Sequence, residues 1–288
     1  MQADGVAQTG LGLAGYLARA DAVILPSRLS ATAPPLHLNG DPLRVGVDLG
    51  TAYLVLVVLD ETGLPLAGEW QYAEVARDGL VVDFIGATDR LREMKARVER
   101  RIGRELTHAA SGYPPGVPLV EVRATAHVIE AAGMDCSGLI DEPTAANNVL
   151  RLTDGAIVDV GGGTTGVAVL QDGRVTYTAD EATGGKHFSL VIAGSLNTSF
   201  EDAEQLKLRA GEQSRLFPLV RPVMEKVATI TSRHIQGWRV PEINLVGGTA
   251  AFPGMAEVVS EATGIPAHSP TNPLFVTPLG IALHDPAQ

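Results

Sequence analysis

The sequence predicts an α/β protein built of two similar halves, and three observations carry that prediction. The chain has 288 residues, 45% hydrophobic and 19% charged, enough apolar material for a sizeable core. Apolar, strand-like runs alternate with stretches of helical periodicity. One supersecondary plan also occurs twice, about 110 residues apart: apolar strand, aspartate, glycine turn with threonine, apolar strand, hairpin, third strand.

Residues 1–43 read as an N-terminal arm and Pro-rich linker. Leu13, Leu17, Ala20 and Ile24 fall at helical spacing, and PSRLSATAPPLHLNGDP follows with four prolines. The helix reads either as a frayed or docked arm or as an amphipathic docking helix on a tether. Gly10, Gly12 and Gly15 spell G-x-G-x-x-G, but no strand precedes them, so the match lacks the context of a dinucleotide fingerprint.

The first half, 44–153, opens with RVGVDLGTAYLVLVVLDETGLPLAGEW: strand, DLGT turn, strand, tight turn, strand. Helices are expected over 87–103, with Leu91, Met94, Val98 and Ile102 on one face, and over 126–133. The second half, 154–270, repeats the plan in AIVDVGGGTTGVAVLQDGRVTYTA. Helices are expected there over 201–211 and 217–237. Residues 271–288 are expected to return to the first half.

Bulk properties narrow the partners. A net charge of −11 and a pI near 5.1 argue against nucleic acid but not against a small phosphate ligand. A single cysteine, Cys136, forms no internal disulfide and suits a reducing compartment. No apolar run approaches the ~20 residues of a membrane span, and no basic residue precedes Arg19, so a cytoplasmic setting is expected.

Glycine turns let backbone amides converge on an anion through close approach or positive φ, and Thr51, Thr164 and Thr165 add hydroxyl donors. Asp48 and Asp159, just before the turns, would repel a phosphate directly. A hydrated Mg²⁺ resolves that conflict, because magnesium keeps several waters and takes few carboxylates. The plainer reading is a pair of hairpin turns in which Asp and Gly serve only geometry. A repeated pattern with Asp at each strand end and Thr after each glycine favours phosphate. There is no P-loop: Gly184-Gly185-Lys186 is followed by His187 and Phe188.

The motifs DLGT (48–51), LIDEPTAA (139–146), DVGGGTT (159–165), ATGGKHF (182–188), LVGGTAAFPGM (245–255) and TPLGIAL (277–283) appear in order. Together they resemble the actin, sugar kinase and heat-shock chaperone ATPase superfamily. The resemblance implies two ribonuclease-H-like halves facing one another, and ATP with Mg²⁺ as cofactors. It implies that Asp48 and Asp159 hold the metal through water, with Gly50, Thr51, Gly161, Gly162, Gly163, Thr164 and Thr165 around the phosphates. Glu142 would orient the attacking water, a role suited to phosphoryl transfer. It also reads as the cap of a helix starting near Pro143. Gly247 and Gly248 would pass the adenosine, or simply turn strand into helix. Gly184 and Gly185 would meet the nucleotide, or simply end a hairpin.

DGLVVDFIGA (78–87), THAASGYPPG (107–116), DEATGGKHFSLVIAG (180–194) and LVRPVMEKVATITSRHI (219–235) resemble one branch, the ethanolamine utilisation protein J family. That branch comprises chaperone-like factors encoded with bacterial microcompartment genes. The resemblance implies an ethanolamine-pathway enzyme or a shell protein as partner, and a homodimer is expected ahead of a filament because the missing subdomain removes one filament surface. Departures from the superfamily temper the activity. No lysine stands in a matching motif near the γ-phosphate, and Lys95 reads as a solvated charge. His187 stands where chaperones carry an acid. Relatives place a subdomain between Lys207 and Phe217, where this chain has about ten residues, so weak nucleotide binding and slow hydrolysis are expected. Only HDPAQ follows Leu283, so no peptide-binding domain is expected there. The alternatives are a non-hydrolysing scaffold, a small-molecule kinase and a filament former.

Overall fold

The two repeated hairpins head two separate sheets. The computed structural model describes Val6 and residues 9–36, 40–77 and 80–288. By contact the chain divides into two compact units. Unit 1 takes the chain to Arg151 and again from Phe275 to Gln288, and unit 2 is Leu152–Leu274.

Unit 1 begins with helix α1 (Leu13–Val23), strand β1 (Ile24–Pro26) and a single helical turn, α2 (Ser27–Ser30). The meander β2 (Leu43–Leu49), β3 (Tyr53–Asp60) and β4 (Pro65–Tyr72) follows. A short pair, β5 (Ala76–Arg77) and β6 (Leu80–Val81), leads into α3 (Phe84–Ile102). Then come β7 (His108–Tyr113), α4 (Leu119–Ala131), β8 (Asp135–Asp141) and α5 (Glu142–Leu150). The sheet order is β1-β4-β3-β2-β7-β8. Alternate residues Val45, Val47, Leu54, Leu56 and Val58 face Leu91, Met94, Val98 and Ile102 of α3, as period-2 and period-3.6 patterns require.

Unit 2 repeats the scheme with β9 (Gly155–Val160), β10 (Thr165–Gln171) and β11 (Arg174–Glu181). The helices α6 (Gly185–Leu196), α7 (Phe200–Lys207) and α8 (Ala210–Ile235) follow. Strand β12 (Ile243–Val246), helix α9 (Met255–Thr263) and strand β13 (Ala267–His268) complete it. Its sheet order is β11-β10-β9-β12-β13. In both units, then, an antiparallel meander gains two parallel strands beside its first strand. The chain re-enters unit 1 as α10 (Val276–His284), buried along nearly its whole length. A Cβ on Gly46 would stand 2.5 Å from the Ala282 amide, and one on Gly280 would overlap the Ala145 carbonyl. Glycine at both positions is what lets α10 lie against β2 and α5.

Several expectations are corrected here. The segment set apart as arm and linker is built into unit 1 through Ser30. Tyr16, Leu17, Ala20 and Ile24 are buried, the Tyr16 hydroxyl donates to Gly63, and β1 pairs with β4 where a linker was expected. Its His37, Leu38 and Asn39, like Asp78 and Gly79 of the DGLVVDFIGA motif, lie outside the described residues. Lys95 is not a solvated charge: it is buried and paired with Glu99 at 2.6 Å. Helix α8 starts at Ala210, earlier than expected, and carries Pro218 and Pro222 inside it. Burial of Leu216, Val220, Met224 and Val227 offsets the hydrogen bonds that the prolines cannot make. Leu208 and Arg209 alone join α7 to α8, which leaves no chain for a subdomain after Lys207.

Candidate functional site

In unit 1 the turn after β2 is closed by the Gly50 amide donating to the Tyr53 carbonyl at 3.0 Å. A Cβ on Gly50 would lie 2.8 Å from that carbonyl oxygen, so close approach fixes this glycine. Asp48 stands two residues earlier, at the carboxyl end of β2, and Thr51 is half-buried in the turn. Strand β7 runs parallel to β2 with Ser111 opposite Val47, which brings Gly112 beside Asp48. The Glu142 side chain passes over Gly112, its Cγ 3.4 Å from where a Cβ there would stand. Asp48 and Glu142 thus share the carboxyl end of one sheet, the usual ligand end of an α/β sheet. The cap of α5 is Asp141, which accepts from the Thr144 amide at 3.0 Å. Glu142 is therefore the first helical residue and is not needed as the cap.

Unit 2 builds the same turn: the Gly161 amide donates to the Thr164 carbonyl at 3.0 Å, with Asp159 two residues before it. More loops converge here. The first amides of α6 hold this turn, Gly185 donating to the Gly161 carbonyl at 2.9 Å and Lys186 to the Gly162 carbonyl at 2.8 Å. Thr249 Oγ1 donates to the same Gly161 carbonyl at 2.8 Å. In a trans peptide the C=O and the following N–H point in opposite directions. Holding these two carbonyls toward α6 therefore turns the Gly162 and Gly163 N–H groups away from it. Among the described residues no protein acceptor takes the Gly162, Gly163 or Thr164 amide. Successive amides of this kind form an anion-binding concavity.

Gly247 follows β12, and a Cβ there would lie 2.2 Å from Asp159 Oδ1. Gly248 opens the one-turn 3₁₀ helix that carries Thr249. Gly184 touches the Gly161–Thr164 turn, where a Cβ would stand only 2.6 Å from the Gly161 carbonyl oxygen. Unit 2 thus brings Asp159, Gly161–Thr164, Gly184, Gly185, Gly247 and Gly248 together.

Three details differ from expectation. The Thr165 hydroxyl is fully buried and donates to the Thr183 carbonyl at 2.6 Å, so it fastens the neighbouring loop and does not face a ligand. The Gly184–Gly185 pair is a strand-to-helix junction, with the Gly185 amide engaged on the turn. At Gly50 and Gly184 it is crowding, not positive φ, that calls for glycine, while a Cβ on Gly161 would meet only ordinary contacts, the nearest at 3.6 Å from the Thr164 carbonyl oxygen.

A half-buried cation also lies beside this loop, and no motif in the chain announces it. Lys207 Nζ donates to the Gly185 carbonyl and Ser189 Oγ, each at 3.1 Å, and to Glu204 Oε2 at 2.7 Å. Burial holds its pKa below the usual lysine value, and Glu204 works against that fall. The i, i+3 spacing of Glu204 and Lys207 was the one visible signal. Among the described residues no cluster of three or more His, Cys, Asp or Glu forms a ready metal site, and no helix is long and apolar enough to cross a membrane.

Family models for cell division protein FtsA and for MreB/Mbl protein match residues 156–280 and 71–215. The chain is 45% identical to ethanolamine utilization protein EutJ of Escherichia coli K12 over 84% of its length and 85% of the relative's. The crystal structure of EutJ from Carboxydothermus hydrogenoformans superposes with a TM-score of 0.88 at 45% identity, covering 94% of this chain and 97% of that one. MreB5 of Spiroplasma citri bound to ADP gives a TM-score of 0.65 at 16% identity, over 83% of this chain and 94% of that one. The last likeness is one of fold.

Proposed function

Because the chain belongs to the EutJ family of ethanolamine utilisation proteins and has an actin-like ATPase fold, we propose that it is a nucleotide-dependent switch. It binds ATP and assists assembly or reactivation of an ethanolamine-pathway enzyme or a microcompartment shell protein in the cytoplasm. The observation that carries this reading is the repeated closed turn, one per unit, with an aspartate two residues before it and, in unit 2, three amides without a protein acceptor among the described residues. Those amides fit phosphate oxygens. Asp159 would hold, through water, Mg²⁺ brought in with the nucleotide, Asp48 stands at the equivalent point of unit 1, and the metal would supply charge neutralisation at the phosphates. Glu142, released from capping, would hold a water toward the γ-phosphate.

Hydrolysis is expected to be slow, because only Leu208 and Arg209 stand where a further subdomain would close over the nucleotide. That same link favours a second reading, a non-hydrolysing scaffold of the same fold. Thermal melts with and without Mg²⁺–ATP, on wild type and on Asp48→Ala/Asp159→Ala, decide the matter. Ligand at a hundredfold excess over Kd stabilises the folded state by about 2.7 kcal/mol. A shift in wild type that the double variant loses supports the switch. No shift at millimolar ATP sinks it and leaves the scaffold.

A further inference from the structure

Helix α6 starts on Gly184, a residue with no side chain to cap it. Its first turn is nonetheless the clamp that holds the phosphate turn, through the Gly185 and Lys186 amides on the Gly161 and Gly162 carbonyls. The cap is supplied from the other direction. His187, the third helical residue, accepts the Gly184 N–H on Nδ1 at 3.1 Å. A Glu or Gln at this position does the same in a capping box. We infer that His187 is a positioning residue for the phosphate turn, and that its Nδ1 lone pair makes the turn's shape dependent on pH. The inference rests on the reading of that turn as the nucleotide site.

The chemistry is specific to histidine. Nδ1 accepts only while it carries no proton, and the imidazolium has two N–H donors and no acceptor. Protonation would therefore set an N–H against the Gly184 N–H and open the cap. Among the residues that fill this place in a capping box, only histidine loses its acceptor outright on taking a proton. The other charged groups near the first turn come from every element packed on it. Lys186 lies on α6 itself. Lys207 and Glu204 of α7 neutralise one another at 2.7 Å, and Asp159 stands at the end of β9. Glu181 ends β11 and is held by Arg233 and His234 of α8. Holding all of these constant, a change at His187 alone alters the acceptor.

The test measures Mg²⁺–ATP affinity at about pH 8 and about pH 5 for wild type, His187→Gln and His187→Ala. Gln offers an acceptor that does not titrate, and protonation of the nucleotide itself is common to all three. Loss of a cap acceptor weakens a helix start by about five-fold. The affinity of wild type should therefore fall about five-fold further than that of His187→Gln between the two pH values. His187→Ala should be about five-fold weaker than wild type at the higher pH, with no added fall at the lower. Equal pH slopes in all three overturn the inference. Hydrogen exchange without nucleotide gives a separate reading: protection of the Gly185 and Lys186 amides should drop in His187→Ala and hold in His187→Gln. If wild type binds no nucleotide, the switch reading fails while exchange still judges the clamp. Unchanged protection in His187→Ala overturns the inference whatever the nucleotide does.

Discussion

Gly247→Ala separates two reasons for keeping a glycine. The residue has φ 86° and ψ 156°, backbone almost reserved to glycine. Any other side chain there costs about 1–3 kcal/mol in strain alone. The new methyl would also stand 2.2 Å from Asp159 Oδ1 and 2.7 Å from the Val160 carbonyl oxygen. Relieving that overlap means moving the aspartate or parting β12 from β9, and overpacking of this kind costs a further ~1–3 kcal/mol. The sum is about 2–6 kcal/mol. Gly264→Ala is the control, since φ is +70° there and nothing lies within 4 Å of the added methyl. It should cost about 1–2 kcal/mol, the strain of the left-handed region without a clash. Denaturant unfolding, followed by Trp238 fluorescence with Trp70 replaced by Phe, reads both in unit 2. If the two substitutions cost the same within about 0.5 kcal/mol, crowding against Asp159 plays no part and the close-approach argument is wrong. Gly247→Ala should also abolish the Mg²⁺–ATP shift while Gly264→Ala keeps it.

Two further outcomes follow from charges outside the turn. Lys207→Met leaves the Glu204 carboxylate buried without its cation and should destabilise unit 2 by about 3–5 kcal/mol, with Glu204→Gln in the same chain recovering part of the loss in a double-mutant cycle. The hydrogen bond from His234, with help from Arg233, holds the Glu181 carboxyl below its ordinary 4.5. A depressed acid stabilises the fold above its unfolded pKa and loses that contribution as pH falls through the folded value. Acid unfolding monitored downward from pH 4.5 should therefore be less steep in Glu181→Gln.

The doubled architecture could be read from the chain because Asp48 and Asp159 close strands whose apolar character and turn glycines are local features. The site's supports were less legible. Thr165 looks like one more phosphate hydroxyl until β10 buries it and the Thr183 carbonyl accepts its hydrogen bond. Asp141 and Glu142 both suit a cap, and only the strand's direction into α5 assigns it to Asp141. Lys207 carries no motif, and its importance lies in a fold-made contact with Gly185. Pro26 argues for a break, yet proline is tolerated in an edge strand, and β1 is one. Lys95 follows a helical surface pattern but meets Glu99 under cover. In each case tertiary contact overrides a local preference.

Helix α10 fills the space over Gly46 and Gly280 in unit 1, and it is encoded after the whole of unit 2. A ribosome adding about 5–20 residues per second makes the strands of unit 1 first and this helix roughly ten seconds later. During that interval β2 and α5 are out of the tunnel with their shared apolar groove bare, and unit 2 is translated to its last residue before the helix that fills the groove is made. Unit 1 is thus the first part translated and the last to become native. A stalled message within unit 2 leaves its sheet around an empty slot, a natural target for holdases and proteases.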